Sequence, residues 1–153
     1  METPINSALS AELQELYLEN KEWLSDIVFL EDEMRFFQKL FSQVLTGWVR
    51  REHLPQIAMI SSSMNVILER RRQLKVILQS RKHTLEDLLK GNLLRIGLDL
   101  IEEDAAIICE IKSLMASEKV LKEGLFKLVE DQNESSKPVV KSKLSRVHRY
   151  PLL

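Results

Sequence analysis

Strides of alternately four and three residues from Leu9 land on Leu13, Leu16, Asn20, Trp23, Ile27, Leu30, Met34, Phe37, Phe41, Val44 and Trp48, and every position but Asn20 is apolar. A mean spacing of about 3.5 residues, kept up for this long, is the pattern of a helix packed lengthwise against partner helices. The period returns twice. One further stripe runs Ile57, Ile60, Met64, Ile67, Arg71, Leu74, Leu78, Arg81, Leu85 and Leu88, and another runs Leu100, Asp104, Ile107, Ile111, Leu114, Glu118, Leu121, Leu125 and Leu128. The pattern predicts helices over about residues 8–48, 55–90 and 94–131.

Local signals place the breaks. Ser7 or Ser10 suits the first N-cap, with Glu12 and Glu15 in turns where the helix dipole favours acid. Pro55 belongs in a first helical turn and should push Leu54 toward an extended conformation, so the connection is expected near Arg50 to Leu54. Gly91 and Asn92 read as a C-terminal stop for the second helix. Thr84 with Asp87 is a further capping pattern that marks a candidate break near His83. Short connections make neighbouring helices antiparallel. The expected fold is therefore all-α, a long antiparallel three-helix bundle or coiled-coil-like hairpin plus a third helix. It is expected to form one domain over residues 1–131, followed by a basic, flexible C-terminal tail over residues 132–153.

Three stripes have polar exceptions. With the turns centred near residues 51 and 92, Arg81 falls opposite positions close to Asn20 on the first helix and Asp104 on the third. Asn20, Arg81 and Asp104 are expected to share one layer of the core, setting helix register at some cost in stability. Arg71 and Glu118 do not meet under the same ruler.

Net charge is only −1, with 29% charged residues, but the distribution is uneven. The first and third helices are acidic and the second is basic, which favours an antiparallel order with the basic helix between two acidic ones. The ruler sets Arg70, Arg71 and Arg72 opposite Glu33, Asp32 and Glu31, Lys75 near Glu110, and Lys82 near Glu102. The Arg-rich run has no accompanying aromatic, so neutralisation within the bundle explains it better than a nucleic-acid surface. In the tail, Lys141, Lys143, Arg146 and Arg149 form the more credible basic contact, and Val139, Val140, Leu144, Val147 and Tyr150 could anchor it.

No motif supplies chemistry. The histidines His53, His83 and His148 are scattered and none stands three residues after a Glu, so neither a di-iron pair nor another metal centre is expected. Glu102, Glu103 and Asp104 should spread around a helix and fail to converge. Cys109, in an apolar helical context, should be an inert, buried or half-buried thiol. The glycines are isolated, so no phosphate loop is present. No cofactor is expected, and no enzymatic activity. The single cysteine, together with the lack of a leader or a membrane-spanning run, points to a cytoplasmic protein with no membrane partner.

What remains is surplus apolar surface. Leu18, Phe29, Phe36 and Leu40 lie off the main stripe of the first helix, and Leu98, Ile101, Ala105, Ile108 and Met115 form a second strip on the third. The expected function is a protein-protein interaction or scaffold module, with a homodimer as the first assembly to consider. The alternatives are a nucleic-acid-associated protein using the Arg-rich helix and tail, and a small-ligand binder or enzyme built around the Asn20, Arg81 and Asp104 layer.

Overall fold

The computed structural model describes residues 4–91 and 98–136. Three helices, α1 (Pro4–Thr46), α2 (Leu54–Leu89) and α3 (Leu98–Ser136), form a long antiparallel three-helix bundle, with a single 3-10 turn at Arg51–His53 and no strand among the described residues. α1 packs chiefly on α2, α2 next on α3, and α1 touches α3 least.

The stripes are the core. Leu13, Trp23, Ile27, Leu30, Met34, Phe37 and Phe41 of α1 are buried, as are seven apolar α2 positions, Ile60, Met64, Ile67, Leu74, Leu78, Leu85 and Leu88. α3 contributes Ile107, Ile111, Leu114, Leu121, Leu125 and Leu128. Each such side chain contributes about 2 kcal/mol of transfer free energy, so packing rather than intrinsic propensity holds helices of this length. The apolar core is not continuous. A large cluster runs from Trp23 to Phe41 with its partners on α2 and α3, and a small one gathers Leu13, Leu85 and Leu88 with Leu16, Tyr17, Leu89 and Leu100 packed against it. Asn20, Arg81 and Asp104 occupy the level between the two.

Several boundaries differ from the sequence expectation. α1 begins at Pro4 rather than near residue 8, because a proline fits a first turn, where its missing N–H costs nothing. It ends at Thr46, so Trp48 lies beyond the helix and is 73% exposed, off the stripe the pattern assigned it. Gly47 N–H donates to Val44 O (3.3 Å) and the Thr46 hydroxyl to Gln43 O (2.9 Å), which uses carbonyls that the next turn would have taken. Leu54 is αR, at φ −58 and ψ −43, not extended, although Pro55 stands at the start of α2. The 3-10 turn closed by His53 N–H on Arg50 O (3.0 Å) delivers the chain already wound into the helix.

No break occurs at Thr84, whose hydroxyl bonds back to Ser80 O (3.3 Å) within an unbroken α2. The stop at Gly91 is present: Gly91 takes φ +84, Lys90 N–H donates to Glu86 O and Gly91 N–H to Leu88 O, both at 3.0 Å. α3 runs to Ser136, so residues 132–136 are helix and not tail, and its expected start near Leu94 lies outside the described residues.

Candidate functional site

The polar layer is centred on Arg81, which is 2% exposed. Its Nη2 stands 3.0 Å from Asp104 Oδ1 and its Nε 3.1 Å from Glu103 Oε1, while Nη2 also donates to Leu100 O (3.3 Å). Neither carboxylate contact is aligned well enough to count as a hydrogen bond for Arg81 Nε or Asp104 Oδ1, so these are ion pairs held by charge more than by direction. The guanidinium lies 5.7 Å from the centre of the Trp23 ring. Asn20, fully buried, donates from Nδ2 to Leu78 O (3.0 Å) on α2, and its Oδ1 has no partner. Asn20 therefore shares the layer but bonds to the α2 backbone and to neither charged group.

Glu103 departs from expectation. It joins Asp104 on one cation because a guanidinium offers separate nitrogens to side chains that leave the helix in different directions. A cleft of about 460 Å³ opens beside the layer, lined by Val76, Ile77, Ser80, Arg81, Thr84, Leu100 and Glu103.

A second feature escaped the sequence reading. Glu19, Asp26 and Glu33 repeat every seven residues along the edge of α1 that meets α3. At one end Glu19 faces Asp104, and at the other Glu33 faces Glu118, which is buried. Burial first, and then Asp104, raises the Glu19 carboxyl above the ordinary value, against the pull of Arg81. Burial and then Glu33 raise Glu118, against Lys122; burial and then Glu22 raise Asp26. Like charges thus line the seam where the bundle is most thinly packed. The clue was the heptad spacing of the acids, which is visible only once the α3-facing edge of α1 is known.

Ion pairs redistribute the ruler's assignments. Arg71 (3.5 Å) and Lys75 (3.7 Å) both reach Glu31 on α1, whereas Arg70 turns to α3, placing its Nε 3.0 Å from Glu110 Oε2 and its Nη2 2.9 Å from Ser113 Oγ. Arg72 pairs with Glu69 on its own helix (2.6 Å). The Arg-rich run is thereby matched with acids inside the bundle. At the far end, Gln132 Nε2 donates to Trp48 O (2.9 Å) and its Oε1 meets His53 Nδ1, tying the last turns of α3 to the α1–α2 connection.

Leu18, Phe29 and Phe36 are 62%, 63% and 57% exposed and fall within about 20° of one another around α1. Leu40 does not belong with them. It lies further round toward α3, half-buried against the core. The second strip of α3 divides likewise: Ile108 and Met115 pack on the core while Ile101 is exposed. Cys109 is exposed, not buried or half-buried, because it points away from the face that the stripe directs inward. The basic residues Lys141, Lys143, Arg146 and Arg149 lie outside the described residues.

Among the described residues no three His, Cys, Asp or Glu side chains group as metal ligands, and no helix is long and apolar enough to cross a membrane. No protein-family model, curated protein or solved structure matches this chain.

Proposed function

We propose that this chain is a non-enzymatic protein-interaction module that presents the outward face of α1 to a partner. The observation that carries the reading is the row Leu18, Phe29 and Phe36, three large apolar side chains standing in solvent on a helix whose opposite face is fully used by the core. Two of them are aromatic and separated by two turns, the spacing with which a helix anchors itself in a groove or against a facing helix. Large aromatics at the centre of an interface dominate its energy. The buried Arg81 supports this reading too, since its charge is already matched by Asp104 and Glu103.

A second copy of the chain is the first partner to test. Native mass spectrometry across a concentration series, on wild type and on Phe29→Ala and Phe36→Ala, measures it. Each substitution is expected to weaken association by at least about 1 kcal/mol, roughly fivefold, and to leave the helical fold intact. Unchanged assembly with a sharply lowered melting temperature would make them packing residues and end the proposal. If wild type is monomeric throughout, the same variants are compared for capture of a protein from extract, and equal capture by all three would end it.

A further inference from the structure

We propose that the α1 face of one copy docks in the groove between α2 and α3 of a second copy, parallel to that copy's α2, so that chains join head to tail. The inference rests on the reading that the α1 face binds a partner, and it goes further by naming the partner's surface.

The groove runs along the side of the bundle away from α1. Its α2 wall is a second stripe beside the buried one, with Met59, Ser63, Val66, Arg70, Gln73 and Ile77 spaced four and three apart. Met59, Val66 and Ile77 are exposed there, and Val120 is exposed on the α3 wall, which is otherwise built of small residues such as Ser113, Ser117 and Gly124. Two clefts open along it. One, of about 140 Å³, lies between Met59, Ser63, Val120 and Gly124; the other is the cleft of about 460 Å³ bordered by Ile77, Ser80 and Glu103. Between them Arg70 crosses from α2 to Glu110, Ser113 and Ser117 on α3.

The row on α1 repeats the spacing of these three features. The clefts are centred about 20 residues apart along α2, roughly 30 Å, and Leu18 and Phe36 are separated by roughly 27 Å. With Leu18 in the cleft at Met59, Phe36 meets the cleft at Ile77. Phe29 then stands level with Arg70, where an aromatic face is a good partner for a guanidinium.

Charge selects the direction. On α1 Leu18 is flanked by Glu15 and Glu22, whereas Lys39 follows Phe36 by one turn. At the Met59 end of the groove α2 has no charged residue between 55 and 68, and α3 carries Lys119 and Lys127 against Glu123; at the Ile77 end α3 carries Glu102 and Glu103. The parallel alignment brings Glu15 level with Lys127, and Lys39 level with Glu102 and Glu103. Reversing the docked helix sets Glu15 against Glu102 and Glu103, and Lys39 against Lys127. Complementary charge of this kind fixes register and suppresses the wrong arrangement.

The α1 face and the groove lie on opposite sides of one bundle, so two copies cannot exchange them in a closed pair. Each added copy leaves one face and one groove free, and the assembly grows by repetition.

Sedimentation velocity over a concentration series tests this, on wild type, on an α1-face variant (Phe29→Ala with Phe36→Ala) and on a groove variant (Met59→Glu with Val120→Glu) changed only at exposed positions. Wild type is expected to pass from monomer to dimer, trimer and larger species. The α1-face variant should need at least about 25-fold higher concentration to associate, about fivefold for each aromatic lost, and the groove variant should be as weak. An equimolar mixture of the two should give a 1:1 dimer that grows no further, which also shows that both are folded. Lys127→Glu should weaken association up to about fivefold at low salt, and Glu15→Lys in the same chain should restore it. No restoration would overturn the alignment. A wild type that stops at a dimer or stays monomeric would overturn the groove docking, as would a groove variant that assembles like wild type while the α1-face variant does not; each leaves the α1 face as a binding surface for another protein. An α1-face variant that assembles like wild type would end both readings.

Discussion

At the scale of single residues, Arg81 shows how a buried charge is tolerated. Its guanidinium is shared by Asp104, Glu103, a backbone carbonyl and the face of Trp23, so no one partner carries it. Removing the cation leaves Asp104 against Glu19 with nothing between them. Arg81→Leu is expected to cost about 3 kcal/mol in urea unfolding, because the uncharged leucine leaves uncompensated carboxylates in a desolvated layer. Arg81→Lys should cost less. A near-neutral Arg81→Leu would show that solvent already compensates the acids. Asn20 is a different case, since its Oδ1 is buried without a partner. It fits a register marker that gives up stability for a single alignment, as an Asn at a core position does in paired helices.

At the scale of elements, the acids on the α1–α3 seam make the contact between those helices depend on pH. Glu19, Asp26 and Glu118 are all raised above their ordinary values, chiefly by burial. A carboxyl whose folded pKa exceeds its unfolded one binds protons more tightly in the native state, so stability falls as pH rises through that interval and recovers as pH falls. Mild acidification from neutrality toward the upper edge of the ordinary carboxylate range should therefore stabilise the bundle. Glu118→Gln should raise the melting temperature at pH 7 by about 2–4 °C, the shift that roughly 1 kcal/mol makes in a chain of this size, and should flatten the pH dependence. A lowered melting temperature at pH 7 would mean that Glu118 has a cationic partner strong enough to outweigh Glu33. The connection after α2 gives an independent check. Gly91 sits at φ +84 with open space around its Cα, so Gly91→Ala should cost about 1–2 kcal/mol from backbone conformation alone. A neutral result in thermal melts would show that this turn relaxes.

At the scale of the whole molecule, the three helices are unequally held. α1 and α2 make the principal interface, whereas α3 leans on α2 and meets α1 across a like-charged seam. Regions with fewer packed contacts open at lower free energy. Native-state hydrogen exchange in rising urea should accordingly release α3 before the α1–α2 hairpin, with the Gln132 tie to Trp48 and His53 holding the far end of α3 longest. All three helices exchanging along one isotherm would show a single cooperative unit instead. The exposed row on α1 lies on the firmer of the two parts, which suits the binding role proposed for it.

The architecture was legible because helix period and core pattern are local properties of the chain. Stripes with a spacing of about 3.5 can bury their apolar residues only by packing side by side, and Pro55 and Gly91 mark the turns. Even the level of the polar layer followed from chain arithmetic, since antiparallel helices with short connections leave little freedom along their axes. Rotation about those axes was not legible. Residues at one level can point to either neighbour, and this is why Arg70 belongs to α3 and Lys75 to α1, the reverse of the pairing read along the chain. For the same reason Leu40 separated from Phe29 and Phe36, Cys109 turned outward, and the spaced acids Glu19, Asp26 and Glu33 acquired meaning only when α3 was laid beside them. Sequence settled the three core stripes and the height at which their residues stand, while the helix ends at Pro4, Thr46 and Ser136 were set by local caps and contacts. Which way each side chain faces was decided by how three cylinders pack, a choice made by the sum of all contacts and recorded in no single stretch of the chain.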